Sequence, residues 1–206
     1  MRTNPRSPLL VSLVNTLRDE TLNPFIFRHT IKEITKILLN EALKDAVMTT
    51  RTIRTWQGNM EAECIDESRI MIVSVLRAAL PMHEAAIDTM THAVSGFLAM
   101  KRDETTHESV LYYDRVGDCS GKTVIIVDPM VATGGSLCDA IDVIRAKGAA
   151  KIKTLNILAS PEGIARVRDR FPDVEIHIAQ IDEKLDDNKF ILPGLGDAGD
   201  RAYNTL

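Results

Sequence analysis

The chain has 206 residues, of which 45% are hydrophobic and 26% charged, with a formal net charge of -4. That length fits one domain with a substantial core, and the composition is ordinary for a soluble globular protein. The acidic balance excludes broad nucleic-acid binding, and no apolar run approaches the ~20 residues that span a bilayer. Cys64, Cys119 and Cys138 are odd in number and form no CxxC pair, so reduced thiols in a cytoplasmic protein are expected, not a disulfide framework. The apolar stretch 8–14 is short and is followed by Arg18, Asp19 and Glu20 instead of a small-residue cleavage site, so a secretory signal is not expected.

Residues 1–23 read as an arm with some apolar character. Asn23 is a good N-cap and Pro24 suits a first helical position, after which Phe27, Ile31, Ile34, Leu38 and Ala42 recur at helical spacing to about Asp45. Residues 46–69 are polar and mixed, and read as irregular strands and turns. Ile70–Leu76 is a buried strand, followed by Arg77 and a helix over 81–90. Ala93–Met100 is the next strand. The polar run 101–109 suggests a hairpin or flap that returns through Val110–Tyr113.

Thr123–Val127 is again continuously apolar, and a helix over 136–147 ends at Gly148, a natural C-cap. Ile152–Ala159 is strand-like, 161–171 helical and Val174–Ala179 strand-like. Strands without polar alternation, separated by helices, indicate an α/β fold: a mostly parallel central sheet with helices on both faces. Ligands bind such sheets at the carboxyl ends of the strands, where Arg77 and Asp128 fall.

The most informative run is Ile125–Gly135. An apolar strand reaches Asp128 and becomes a loop of Pro129, Met130, Val131, Ala132, Thr133, Gly134 and Gly135, and Ser136 leads into a helix. A helix N-terminus offers free N–H donors to phosphate, glycines let it approach, and Thr133 and Ser136 add hydroxyls. The adjacent carboxylate suits hydroxyls or a metal, so the ligand suggested is a phosphorylated sugar. Asp128 could also cap the loop by accepting backbone N–H bonds, and a lone Arg77 could form a surface ion pair. Gly194–Gly199 matches G-x-G-x-x-G, but the chain stops at Leu206 and leaves no second strand or acidic partner, so it reads as a C-terminal glycine loop. Gly121-Lys122-Thr123 is a turn into a strand. His29, His83, His92, His107 and His177 show no metal-ligand spacing, and Cys138 reads as a packing residue.

VDPMVATGGS at 127–136 resembles the phosphoribosyl-diphosphate (PRPP) motif of phosphoribosyltransferases, and ILPGLGDAGDR at 191–201 resembles the C-terminal signature of the uracil phosphoribosyltransferases. TLRDET at 16–21, VLRAALPM at 75–82, KRDE at 101–104, SPEGIARV at 160–167 and AQIDEKL at 179–185 extend the likeness over nearly the whole chain. The resemblance implies a single phosphoribosyltransferase-like domain over 1–206, with an N-terminal arm (1–23), a flap or hood (about 101–112) and a base-binding loop (190–201).

It further implies the reaction of uracil with PRPP to give UMP and pyrophosphate, assisted by Mg²⁺ held mainly by PRPP oxygens. Asp128 would face the ribose hydroxyls, Val131–Gly135 the 5′-phosphate, and Arg77 and Arg102 the diphosphate. Backbone at Ile191, Gly196 and Ala198 would read the uracil edge, with Asp197 near both PRPP and base. A non-proline cis peptide beside Arg77, a homodimer or higher homo-oligomer, a cytoplasmic location and GTP as an effector belong to the same implication; nucleic acid and membrane do not. Ala79, Lys101, Phe190, the 51–60 segment and the ending Ala202-Tyr203-Asn204-Thr205 depart from the usual pattern. The competing expectations are transfer to another base, and a PRPP- or nucleotide-sensing regulator that binds RNA or protein.

Overall fold

The computed structural model describes residues 2–3, 7–102 and 109–205. After a two-residue strand, β1 (Arg2–Thr3), the expected arm is a helix, α1 (Pro8–Arg18), that buries Leu10, Val14 and Leu17 at helical spacing. Helix α2 (Pro24–Ala42) starts as its sequence dictates: the Asn23 side chain accepts the Ile26 N–H at 3.0 Å, and Pro24 follows it. Its stripe of Phe27, Ile31, Ile34, Leu38 and Ala42 is buried, each large side chain stabilising the fold by about 1.5–3 kcal/mol relative to exposure.

The 46–69 stretch is more regular than its sequence suggested. Strands β2 (Met48–Thr55) and β3 (Gly58–Ile65) pair antiparallel from Met48↔Ile65 to Thr55↔Gly58. Most of the ribbon is exposed on both faces, so no apolar alternation marked it as strand.

Strand β4 (Ile70–Leu76) leads to helix α3 (Leu80–Thr89), and β5 (Val94–Arg102) pairs antiparallel with β6 (Ser109–Asp114), Arg102 opposite Ser109. Residues 103–108 of the expected flap, and the side chains of Lys101 and Arg102, lie outside the described residues. Then come β7 (Thr123–Val127), the short β8 (Met130–Val131), helix α4 (Gly135–Ala146), β9 (Lys151–Ala159), α5 (Pro161–Arg170) and β10 (Glu175–Ile181). Gly148, just beyond α4, has the positive φ of 82° that ends such a helix. The C-terminal segment holds two small elements not foreseen, the ribbon of β11 (Lys184–Leu185) with β12 (Ile191–Leu192), and helix α6 (Ala198–Tyr203).

The main sheet runs β1-β10-β9-β7-β4-β5-β6, parallel except for β5/β6, with β8 beside β9. Alternate residues of its central strands feed two cores. Ile70, Ile72, Ile125 and Val127 pack with α1, α2 and α3, whereas Met71, Val73, Val124 and Ile126 pack with α4 and α5. That explains their unbroken hydrophobicity. The chain leaves β4 toward β5 on one side and returns to β7 on the other. The crevice at the carboxyl ends of β4 and β7 is therefore the topological switch point, where such sheets bind ligands.

Candidate active site

Three segments meet at that crevice. The first follows β4: the Leu76–Arg77 peptide is cis, as the resemblance implied, and Arg77-Ala78-Ala79 leads into α3. Beneath it His83 of α3 is buried, its Nδ1 2.5 Å from Ser74 Oγ of β4 and its ring tilted against Phe97. Burial pushes the His83 pKa below the usual imidazole value.

The second segment is the loop after β7. Asp128 donates its backbone N–H to Leu155 O at 3.2 Å, and its carbonyl accepts from Asn156 Nδ2 at 2.7 Å. Pro129 O accepts the Ile157 and Leu158 N–H groups, both at 3.0 Å, which seats the loop on β9. Gly134, at φ 76°, caps α4, so the helix begins at Gly135 with its free N–H groups at the crevice.

Two residues that sequence reasoning passed over hold this loop from below. Ser160 Oγ donates to Ala132 O at 2.6 Å and accepts the Gly163 N–H at 2.9 Å. A Cβ on Gly163 would lie 2.3 Å from Ala132 O and 2.8 Å from Val131 O, so only glycine permits the contact. An isolated glycine inside a helical pattern was the available signal.

The third segment is the C-terminal loop. Asp197 caps α6 by accepting the Asp200 N–H at 2.9 Å, and Arg77 Nη2 donates to Asp200 Oδ1 at 2.7 Å. Arg77 therefore does form the surface ion pair considered above, with a partner across the crevice. Thr205 and Arg77 together hold the Asp200 carboxyl below the usual range. Arg28 donates to Ala202 O at 2.6 Å, and Arg201 to Leu195 O at 2.8 Å, with the Arg201 guanidinium 4.5 Å from the centre of the Phe27 ring. Arg201 also donates to Leu17 O, and through Arg28 and Arg201 α6 is fastened to the N-terminal helices.

Between the segments lies a cavity of about 310 Å³. Its wall includes Arg77, Asp128, Met130, Val131, Ala132, Thr133, Gly134, Gly135, Ser136 and Asp197, along with Val75, Leu76, Ala78, Met100 and Leu137, which the sequence did not nominate. Pro129 is buried and is not part of the wall. Ile191 and Ala198 are buried outside it, and Gly196 is exposed outside it. The Arg102 side chain is not among those described.

Asp128 is the electrostatic centre of the cavity. Burial raises its pKa from 3.8 to about 7, opposed by the Met130 N–H, which donates to Oδ1 at 3.3 Å. That bond is the capping role considered for it, and it leaves carboxyl capacity free for a ligand hydroxyl. Cys138, one turn into α4, is buried and its thiol pKa is raised by burial, which suits packing and not nucleophilic attack. Among the described residues, no group of three or more His, Cys, Asp or Glu could hold a metal, and no helix is long and apolar enough to cross a membrane.

Comparisons with known proteins agree with this architecture. The family model described as uracil phosphoribosyltransferase matches residues 4–205. A uracil phosphoribosyltransferase of Aquifex aeolicus is 42% identical over 196 residues, covering 95% of this chain and 94% of its own. One from Paracoccus denitrificans is 39% identical over 199 residues, covering 96% and 94%. The solved structure of the AQ2163 protein from Aquifex aeolicus superposes with a TM-score of 0.92 at 41% identity, covering 96% of this chain and 95% of that one. A hypoxanthine-guanine phosphoribosyltransferase from Bacillus anthracis shares the fold at 16% identity, with a TM-score of 0.51 over 75% of this chain and 78% of its own. With full-length relatives at this identity and a cavity lined by the 127–136 motif together with Arg77 and Asp197, the chain belongs to the uracil phosphoribosyltransferase family.

Proposed function

We propose that this protein transfers the phosphoribosyl group of PRPP to uracil, releasing pyrophosphate and forming UMP. One observation carries the reading: Asp128, the Met130–Ser136 loop, Arg77 and Asp197 line a single cavity at the sheet's switch point. The α4 N–H groups with Thr133 and Ser136 suit the 5′-phosphate, because fixed donors and the helix dipole favour an anion there. Arg77, more than half exposed at its side chain, is available to the diphosphate. Arg102, at the end of β5, is assigned the same partner on the family resemblance alone.

The chemistry asks for charge stabilisation more than for a nucleophile. As the bond from C1 to pyrophosphate breaks, positive charge develops on the sugar and negative charge on the leaving group. The Asp128 carboxyl accepts from the ribose hydroxyls and, when ionised, stabilises the cationic sugar. Arg77 opposes the departing diphosphate. Backbone groups of Ile191, Gly196 and Ala198 are assigned to the uracil edge, where an amino group in place of a carbonyl would set donor against donor. Mg²⁺ would be held mainly by PRPP oxygens, the Asp128 and Asp197 carboxyls on the cavity wall would suit its preference for hard oxygen, and the ion would neutralise diphosphate charge.

The same reading makes the protein cytoplasmic and a homodimer or higher oligomer, with the β2–β3 ribbon against a second copy. That ribbon exposes Met48, Ile53 and Met60, and its tip residue Trp56 is 92% exposed; a lone two-stranded ribbon is at best marginally stable. Trp56→Ser should weaken assembly in light scattering, and an unchanged mass at low concentration would refute this interface. GTP as an effector rests on the resemblance and is tested by adding it to the assay. The reaction itself is tested by incubating the protein with PRPP, Mg²⁺ and uracil, cytosine or hypoxanthine. UMP from uracil alone supports it; product from another base, or salt-dependent RNA binding without turnover, would replace it.

A further inference from the structure

The loop that carries the candidate base site is pinned by a largely buried ion pair that is not part of the cavity wall. Arg18, at the last turn of α1, donates from Nη2 to Asp182 Oδ1 at 2.7 Å and from Nη1 to Asp182 Oδ2 at 2.8 Å. Its side chain is 18% exposed and that of Asp182 only 1%. The pair also takes both backbone groups of one loop residue. Gly194 N–H donates to Asp182 Oδ2 at 2.9 Å, and Gly194 O accepts from Arg18 Nη1 at 2.5 Å. No other residue type fits there, since Gly194 has φ 63° and a Cβ would lie 2.0 Å from Ile191 O.

The pair is referenced to the phosphate loop through the sheet. Asp182 N–H donates to Ala159 O at 2.9 Å, and Ala159 stands opposite Val131 in the β8/β9 register. One strand end thus fixes both the segment that meets phosphate and the pivot of the segment that meets the base. Backbone recognition has no side chain to adjust, so its accuracy depends on the pivot.

We propose that Arg18 and Asp182 are positioning residues for the acceptor base: they set where the 191–198 backbone stands relative to the phosphate loop, and so govern uracil recognition more strongly than PRPP binding. The inference rests on the assignment of that loop to uracil. It follows that Arg18→Lys, which keeps the charge but cannot serve Asp182 and Gly194 as a fork, is as informative as Arg18→Met.

Steady-state kinetics on both variants should give a KM for uracil raised at least about tenfold, with the KM for PRPP within about twofold of the parent. A merely structural pair would lower the active fraction, hence kcat, and leave both KM values alone; that result, or an equal rise in both, overturns the proposal. Hydrogen exchange on the unmodified protein separates this from the loop assignment. UMP should protect the amides of 194–198 beyond what ribose 5-phosphate does. Without that extra protection the loop assignment fails and takes the inference with it; with it, but with unchanged uracil KM in both variants, the positioning role alone fails.

Discussion

Replacing Asp128 by Asn removes one ionisable group while leaving Oδ1 to accept the Met130 N–H. In the unfolded chain the carboxyl titrates near 3.8, and in the folded, ligand-free protein near 7 because it is buried. Between those values the folded state holds a proton that the unfolded state has lost, so stability falls as pH rises. The decline is about 1.4 kcal/mol per pH unit, hence up to about 4 kcal/mol across the window, and it levels off above about pH 7. Asp128→Asn lacks this loss. Denaturant unfolding of both proteins from pH 4 to 8.5 should show the variant gaining on the parent as pH rises, with the gap fully open near pH 8. The same variant should turn over at least roughly tenfold more slowly, about 1.4 kcal/mol of transition-state stabilisation. Parallel stability profiles would refute the claim that Asp128 is desolvated and ready for a ligand; unchanged kinetics in the folded variant would remove it from the mechanism.

Gly163→Ala should raise the KM for PRPP by at least about tenfold, because its Cβ must displace the Ala132 and Val131 carbonyls; normal PRPP kinetics would show that the loop does not rest on this glycine. Arg77→Ala should weaken PRPP use and leave Asp200 held by Thr205 without its ion pair, and an unaltered PRPP dependence would reject its assigned role. Burial pushes the Asp182 carboxyl up, but Arg18 and the Gly194 N–H hold it below its usual pKa. The pair's stability is therefore present above pH 3.8 and lost on acidification through the lowered folded value. Asp182→Asn should flatten that acid limb, and an unchanged limb would deny the charge of Asp182 any part in it.

Features carried by a continuous stretch of chain were legible in the sequence. The strand Thr123–Val127, the Asp128 loop and the start of α4 follow one another, so their chemistry could be read in order. The Asn23–Pro24 start of α2 was legible for the same reason. Helix α1 was partly hidden because its buried residues are few, and the β2–β3 ribbon because its solvated faces carry no apolar pattern. Supports formed across long separations leave no local trace: Ser160 is 28 residues from Ala132, and Arg18 is 164 from Asp182. The SPEGIARV, TLRDET and AQIDEKL stretches marked those residues as shared with the family, but only the fold shows that they hold the phosphate loop and the C-terminal loop in place.

The central claim is that one cavity brings a phosphoribosyl donor to a pyrimidine acceptor. Its most direct test is PRPP-dependent formation of UMP from radiolabelled uracil, with and without Mg²⁺, using the purified protein. The account predicts UMP and pyrophosphate in equal amounts, formed from uracil and not from cytosine, and suppressed in Asp128→Asn. Absence of UMP from active, PRPP-binding protein, or equal turnover of cytosine, would contradict it.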